Sequence, residues 1–164
     1  MERQRLVSWP DPSANIAAVT RLGGLGYLQA IHSGRLPRPP LNEVLDFTLA
    51  EITEGHAVFT AQVGEHLSNG LGGVHGGALA TLCDGAIGCA VHSTLPEGSG
   101  YATVELTTRF LRPVDCAHGE IRCTATVTHR GRRMAVARAD VQDTNGKLLA
   151  EASATCLLST TGSD

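Results

Sequence analysis

Aromatic side chains are scarce in this 164-residue chain: three Phe, two Tyr and one Trp. An aromatic-lined pocket is therefore limited to few residues. Lys and Arg are missing altogether between Pro39 and Thr108, while eight acids fall there. With a net charge of -3, bulk nucleic-acid binding has no electrostatic support. No run of 18 apolar residues is present, which excludes an apolar helical membrane span. The opening MERQRLVSWPDPS is charged and broken by prolines, so it lacks the apolar core of a signal peptide. The five cysteines are scattered and never in C-x-x-C spacing, which argues against a disulfide framework or structural zinc. His56, His66, His75 and His92 lack metal-ligand spacing, and no metal is expected. A G-x-S-x-G elbow is also missing, so a serine hydrolase of that type is unsupported. These absences leave a cytoplasmic protein with free, mostly buried thiols and one core-sized domain.

The patterning that is present reads as a helix, two strands, one buried helix and four more strands. Ser13 caps a helix running to about Ser33, weakened by Gly23, Gly24 and Gly26 and ended by LPRPPLN at 36–42. Val44 to Ile52 and the alternating Ala57 to Val63 are predicted strands. From His75 to about His92, Leu79, Leu82, Ala86, Ile87, Ala90 and Val91 recur at helical spacing among Gly, Ala and Cys. A helix apolar nearly all round is a buried one. In YATVELTTRFL, alternation puts Ala102, Val104, Leu106 and Phe110 on one face and Thr103, Glu105, Thr107 and Arg109 on the other. Strands at 121–128, 134–141 and 148–158 follow, the last two joined by an Asn-Gly hairpin turn. Tight turns make these strands antiparallel. The expected fold is α+β: a curved antiparallel sheet wrapped around one long central helix, with a helical extension over 1–41.

NGLGGVHGGALATLCDGAIG (69–88) carries the chemistry. Its helix begins at His75-Gly76-Gly77, where unpaired N–H groups and the positive end of the dipole meet a backbone that a ligand oxygen can approach. That makes Gly76 a candidate oxyanion donor. Asp84 lies mid-helix on an otherwise apolar segment. A carboxylate withdrawn from water is a competent base near neutral pH; equally, Thr81 one turn back or neighbouring backbone satisfies it structurally. His75 caps or orients the loop, and Asn69 bonds its own backbone. From Arg109 to Leu158, seven Arg and one Lys outweigh five acids, which suits either solvated strand faces or an anionic ligand such as a phosphorylated cofactor.

The pattern N-x-x-G-x-x-H-G-G-x-x-x-x-L-x-D, here Asn69, Gly72, His75, Gly76, Gly77, Leu82 and Asp84, resembles the hotdog-fold acyl-CoA thioesterases of the phenylacetic-acid-degradation (PaaI-like) branch. The resemblance spans about residues 42–158, and ATVELTTRFLRPV and NGKLLAEASATCLL fit the later strands of that family. It implies a hotdog domain over 42–159 and a disordered tail at 160–164. It also implies acyl-CoA hydrolysis, with Asp84 as general base or as nucleophile through a mixed anhydride. The Gly76 N–H would polarise the carbonyl, Asn69, His75 and Gly77 would line the site, and Thr103 would orient the water. Coenzyme A enters as part of the substrate, with no separate cofactor; Arg109, Arg112, Arg132 and Arg133 are candidates for its phosphates. The implied assembly is a homodimer whose two chains complete each site, paired again into a tetramer. The family often has Pro after the Asn, where this chain has Gly70. A branch with Glu at the acidic position and Thr a turn later is disfavoured by Asp84 and Gly88. Two other readings stand beside it: a non-catalytic acyl-CoA-binding module, and a hotdog enoyl-CoA hydratase, whose Asp–His spacing is not found here.

Overall fold

The computed structural model describes residues 2–160. Three short helices lead the chain: α1 (Ser13–Val19), α2 (Gly24–His32) and α3 (Pro40–Leu45). Two strands follow, β1 (Phe47–Thr53) and β2 (His56–Gln62), then the long helix α4 (Gly76–His92). The chain closes with β3 (Ser99–Phe110), β4 (Glu120–Arg130), β5 (Met134–Asp143) and β6 (Leu148–Thr160). All pairings are antiparallel, in the order β1-β2-β4-β5-β6-β3. This is the hotdog arrangement that the motif implied. Of the expected tail at 160–164, Thr160 ends β6 and the remainder lies outside the described residues.

The core is asymmetric in side-chain size. The sheet faces α4 with Ala57, Ala125, Ala137, Ala139, Ala150 and Ala154, all at most 1% exposed. The helix supplies Leu79, Leu82 and Ile87 in return. Small strand residues let the sheet close tightly on a helix that touches all six strands. Each large apolar side chain so buried is worth about 1.5–3 kcal/mol. Register shifts at Leu49/Glu51, Thr103/Glu105, Val127/His129 and Val141/Gln142 add local twist, which wraps the sheet.

The N-terminal region differs from expectation. The single helix from Ser13 to Ser33 is two helices, because Gly23 takes an extended backbone (φ -59°, ψ 155°) between them. Ser13 does not cap; the position before the helix is Pro12, and Ser13 donates its N–H to the Asp11 carboxylate at 2.9 Å. Val44 and Leu45 are helical, not strand. Pro40 at the first turn starts α3, and Asp46 in the left-handed conformation (φ 60°) stops it just before β1. The β5–β6 hairpin is present, but only Gly146 of the Asn-Gly pair has positive φ. Asp143 builds the turn instead, its Oδ1 accepting from the N–H groups of Asn145 and Lys147 at 2.9 Å each.

Candidate functional site

The N-terminus of α4 is held by a short, heavily bonded loop. Asn69 accepts the Leu71 N–H on Oδ1 at 2.8 Å, and its own N–H reaches the Gly73 carbonyl at 2.7 Å. Asn69 therefore shapes its own loop, as its residue type suggests. His75 anchors its backbone N–H to the Leu67 carbonyl at 2.7 Å and accepts the Gly77 N–H on Nδ1 at 2.9 Å. An accepting Nδ1 puts the proton of a neutral ring on Nε2, so the exposed edge of His75 is a donor. The Gly77 N–H is thus consumed by the cap. The Gly76 N–H has no acceptor among the described residues, and so stands free at the positive end of the helix. A Cβ on Gly76 would lie 3.0 Å from the Phe110 ring, which explains the glycine by close packing.

Asp84 lies eight residues further along α4, about 12 Å at 1.5 Å per residue. It is half-buried, and its Oδ1 is shut off from solvent with no hydrogen-bond partner among the described residues. The Thr81 pairing does not form: that hydroxyl donates to the Gly77 carbonyl at 2.8 Å. Across from the carboxylate stand Tyr101 of β3 and Cys156 of β6. Burial pushes both groups up, and the nearby Asp84 charge adds to the effect. The Thr103 hydroxyl lies 3.9 Å from the Cys156 sulfur. Here simple alternation fails. The shift between Thr103 and Glu105 puts Thr103 on the inner face with Leu106, opposite the buried Cys156 and Ala154 respectively, and Ala102 outside. The bulge therefore turns Thr103 toward the Asp84 side of the helix.

The arginine candidates separate. Arg109 is on the outer face of β3, paired with Glu151 at 3.2 Å. Arg112 donates to the Leu148 carbonyl. Arg132 and Arg133 instead share a groove of about 720 Å³ with Arg130, beside the exit loop of α4 at Leu95 and Pro96. None of these three has an acidic partner among the described residues, so the groove concentrates positive charge. Arg130 is their near neighbour in the sequence HRGRR (129–133), a stretch that reads there only as a turn signal; the groove is what gives it a part.

Sequence reasoning also passed over Tyr27, His92 and Tyr101. His92 is 8% exposed, its ring flanked by Tyr27 and Tyr101 with centroids at 5.6 and 5.7 Å. Burial lowers the His92 imidazole and raises both phenols, so all three are neutral near pH 7. No local signal links residues this far apart in the chain. Among the described residues no group of three or more His, Cys, Asp or Glu could hold a metal, and no helix is long and apolar enough to cross a membrane.

A family model described as "Thioesterase superfamily" matches residues 71–150, a span holding α4 with Asp84 and the strands β3, β4 and β5. A Halobacterium salinarum protein whose name places it among the esterases is 35% identical over 102 residues; the match covers 59% of this chain and 66% of that protein. Mouse acyl-coenzyme A thioesterase 13 is 30% identical over 115 residues, 69% of this chain and 81% of the relative. Among solved structures, a phenylacetic acid degradation-related protein from Ralstonia eutropha superposes with a TM-score of 0.73 at 28% identity, covering 80% of this chain and 98% of that one.

Proposed function

This chain belongs to the thioesterase superfamily, and on that premise we propose that it hydrolyses the thioester of an acyl-CoA to the free acid and CoA, at a site shared by two copies of the chain. The observation that carries the reading is a separation. The free Gly76 N–H and the unpartnered Asp84 carboxylate lie about 12 Å apart along one helix, too far to act on one carbonyl. Each suits the other's counterpart on a second chain. The twelve-residue strand β3 lies at the edge of the sheet, and Val104 on it is 58% exposed. A long unpaired edge strand invites pairing with another strand, and a β3–β3 pairing would bring two copies of α4 alongside each other.

In this reading the thioester carbonyl oxygen accepts from the Gly76 N–H of one protomer, and Asp84 of the other serves in one of two ways. As a base it takes the proton from a water that attacks the carbonyl carbon. As a nucleophile it forms a mixed anhydride that water then opens. On either route the negative charge of the tetrahedral intermediate falls on the oxygen at Gly76. The C–S bond breaks, and the CoA thiolate recovers the proton. An oxyanion donor of this kind is worth about 100- to 1000-fold in rate. His75 offers its Nε2–H to the thioester, Asn69 and Gly77 hold the loop around it, and Thr103 lies on the side from which a water would be oriented. The groove of Arg130, Arg132 and Arg133 suits the CoA phosphates better than Arg109, which already has its carboxylate partner.

Thiol release over a panel of acyl-CoAs tests the proposal. The wild type should cleave at least one class, and Asp84→Asn should lower kcat by about 100-fold or more while CoA affinity and the folded spectrum persist. Binding without thiol release from any acyl-CoA would leave a binding module. Wild-type kcat in the variant would make Asp84 structural.

A further inference from the structure

The C-terminal half of α4 faces a half-open pocket, about 250 Å³, that the hydrolytic step leaves unused. The hotdog core supplies one wall through Phe59, Cys89 and Tyr101; the N-terminal helices supply the other through Val19, Tyr27 and Leu28. The helical extension is fixed in place there. A Cβ on Gly24, at the start of α2, would overlap the His92 backbone carbonyl, and the Gly24 N–H donates to the Leu95 carbonyl at 3.0 Å.

Besides Asn42, three polar side chains line this space. The Tyr27 and Tyr101 hydroxyls and the His92 ring nitrogens make no hydrogen bond with any described residue. None of these atoms is wholly sealed from solvent, although His92 as a whole is only 8% exposed. A buried polar group without a partner is costly, and here the groups converge on one space that a ligand would satisfy.

The space is also in line with the candidate nucleophile or base. Asp84, Gly88 and His92 recur at i, i+4 and i+8 and so form one stripe along α4. Gly88, between them, gives its place to Tyr101, whose hydroxyl lies where a Gly88 Cβ would be; Tyr101 therefore stands at the boundary between the carboxylate and the cavity it lines. The stripe runs from the carboxylate to the aromatic trio over about 12 Å, the reach of a medium-length acyl group. We infer that this cavity receives the far end of the acyl group, and that Tyr27, His92 and Tyr101 select acyl groups ending in an uncharged hydrogen-bonding function such as a hydroxyl. This rests on the thioesterase reading and names the substrate class for it. It also gives the helices at 13–45 a part in substrate selection. Charged termini are excluded because the cavity has no counter-charge near pH 7: burial keeps both phenols and the imidazole neutral and pushes the Cys89 thiol up to about 12.

The test compares kcat/KM for octanoyl-, 8-hydroxyoctanoyl- and octanedioyl-CoA, with butyryl-CoA as a short reference, in wild type, Tyr27→Phe, Tyr101→Phe and Val19→Trp. The wild type should prefer the hydroxylated chain over the plain one by about five- to tenfold, the worth of one neutral hydrogen bond, and should discriminate most strongly against the carboxylate. Each Tyr→Phe change should bring the hydroxylated-to-plain ratio toward one. Val19→Trp, filling the cavity from its α1 wall, should lower the octanoyl-to-butyryl ratio by about tenfold or more. Ratios equal in all four proteins would overturn the inference and leave thioester hydrolysis standing. If the wild type cleaves no acyl-CoA, the hydrolase reading fails on its own, and the same ratios are then read as dissociation constants: equal ratios overturn the cavity assignment, shifted ratios uphold it.

Discussion

The His75 cap, the Asn69 loop bond and the isolated acid at Asp84 were legible because each is a local feature. A capping histidine, a loop-binding asparagine and a lone acid on an apolar helix show in a window of twenty residues. Alternation put Thr103 on the face opposite Leu106, and the structure puts both on the inner face, since one extra residue in β3 exchanges the two faces of the strand. The cluster of His92 with Tyr27 and Tyr101 was invisible because it is set by tertiary packing. The burial of His92 has a measurable result. Desolvation holds the imidazole below its ordinary 6.5, so the unfolded chain binds the proton more readily than the folded one. The folded state is favoured above the ordinary histidine range and loses that advantage as pH falls through it. His92→Phe removes the titrating group. Its urea midpoint should fall less than that of the wild type between about pH 7.5 and about pH 5.5. The groups facing the ring, Tyr27, Tyr101 and Cys89, do not ionise in that window, and His66, also lowered by burial, is common to both proteins. Equal pH slopes would show that His92 titrates as it does in the unfolded chain.

At the level of elements, the periodicity of α4 was readable to within a residue because a buried helix repeats its apolar positions over almost five turns. The strand order was not, since antiparallel hairpins specify neighbours while the return of β3 to β6 is set by how the sheet closes on α4. Nor was the joint between α2 and α4, which depends on one missing methyl group. Gly24 and Gly26 lie two positions apart in α2 and should respond oppositely to alanine. Gly24→Ala drives a Cβ into the His92 backbone and should cost about 1–3 kcal/mol, with α2 becoming easier to cleave in limited proteolysis. At Gly26 the nearest atom to a new Cβ is the Leu22 Cβ at 3.9 Å, ordinary contact. Gly26→Ala should therefore add about 0.5–1 kcal/mol by helix propensity alone. Denaturant unfolding of the two variants separates these signs; two destabilising changes of equal size would deny the close α2–α4 contact.

On the scale of the whole molecule, the sheet ends on one side in the long strand β3 and on the other in the shorter β1. If β3 is where two copies meet, Val104→Arg should dissociate them by placing a bulky charge at an exposed apolar position of that edge. Sedimentation of the wild type should then give a dimer or a multiple of one, and the variant a monomer that has lost thioester hydrolysis while keeping its helix and sheet spectrum. A monomeric variant with wild-type turnover would mean that one chain suffices.

The tight seat of α2 on the end of α4 has an evolutionary side. The acid, the helix start and the sheet that supports them lie after residue 46, whereas one wall of the 250 Å³ cavity comes from residues before it. If that cavity takes the acyl end, changes among Val19, Tyr27, Leu28 and Ile31 would reshape what fits without touching Asp84 or the start of α4. Heredity can therefore retune such a protein through its leading segment alone, and two descendants could diverge in diet while their chemistry stays shared.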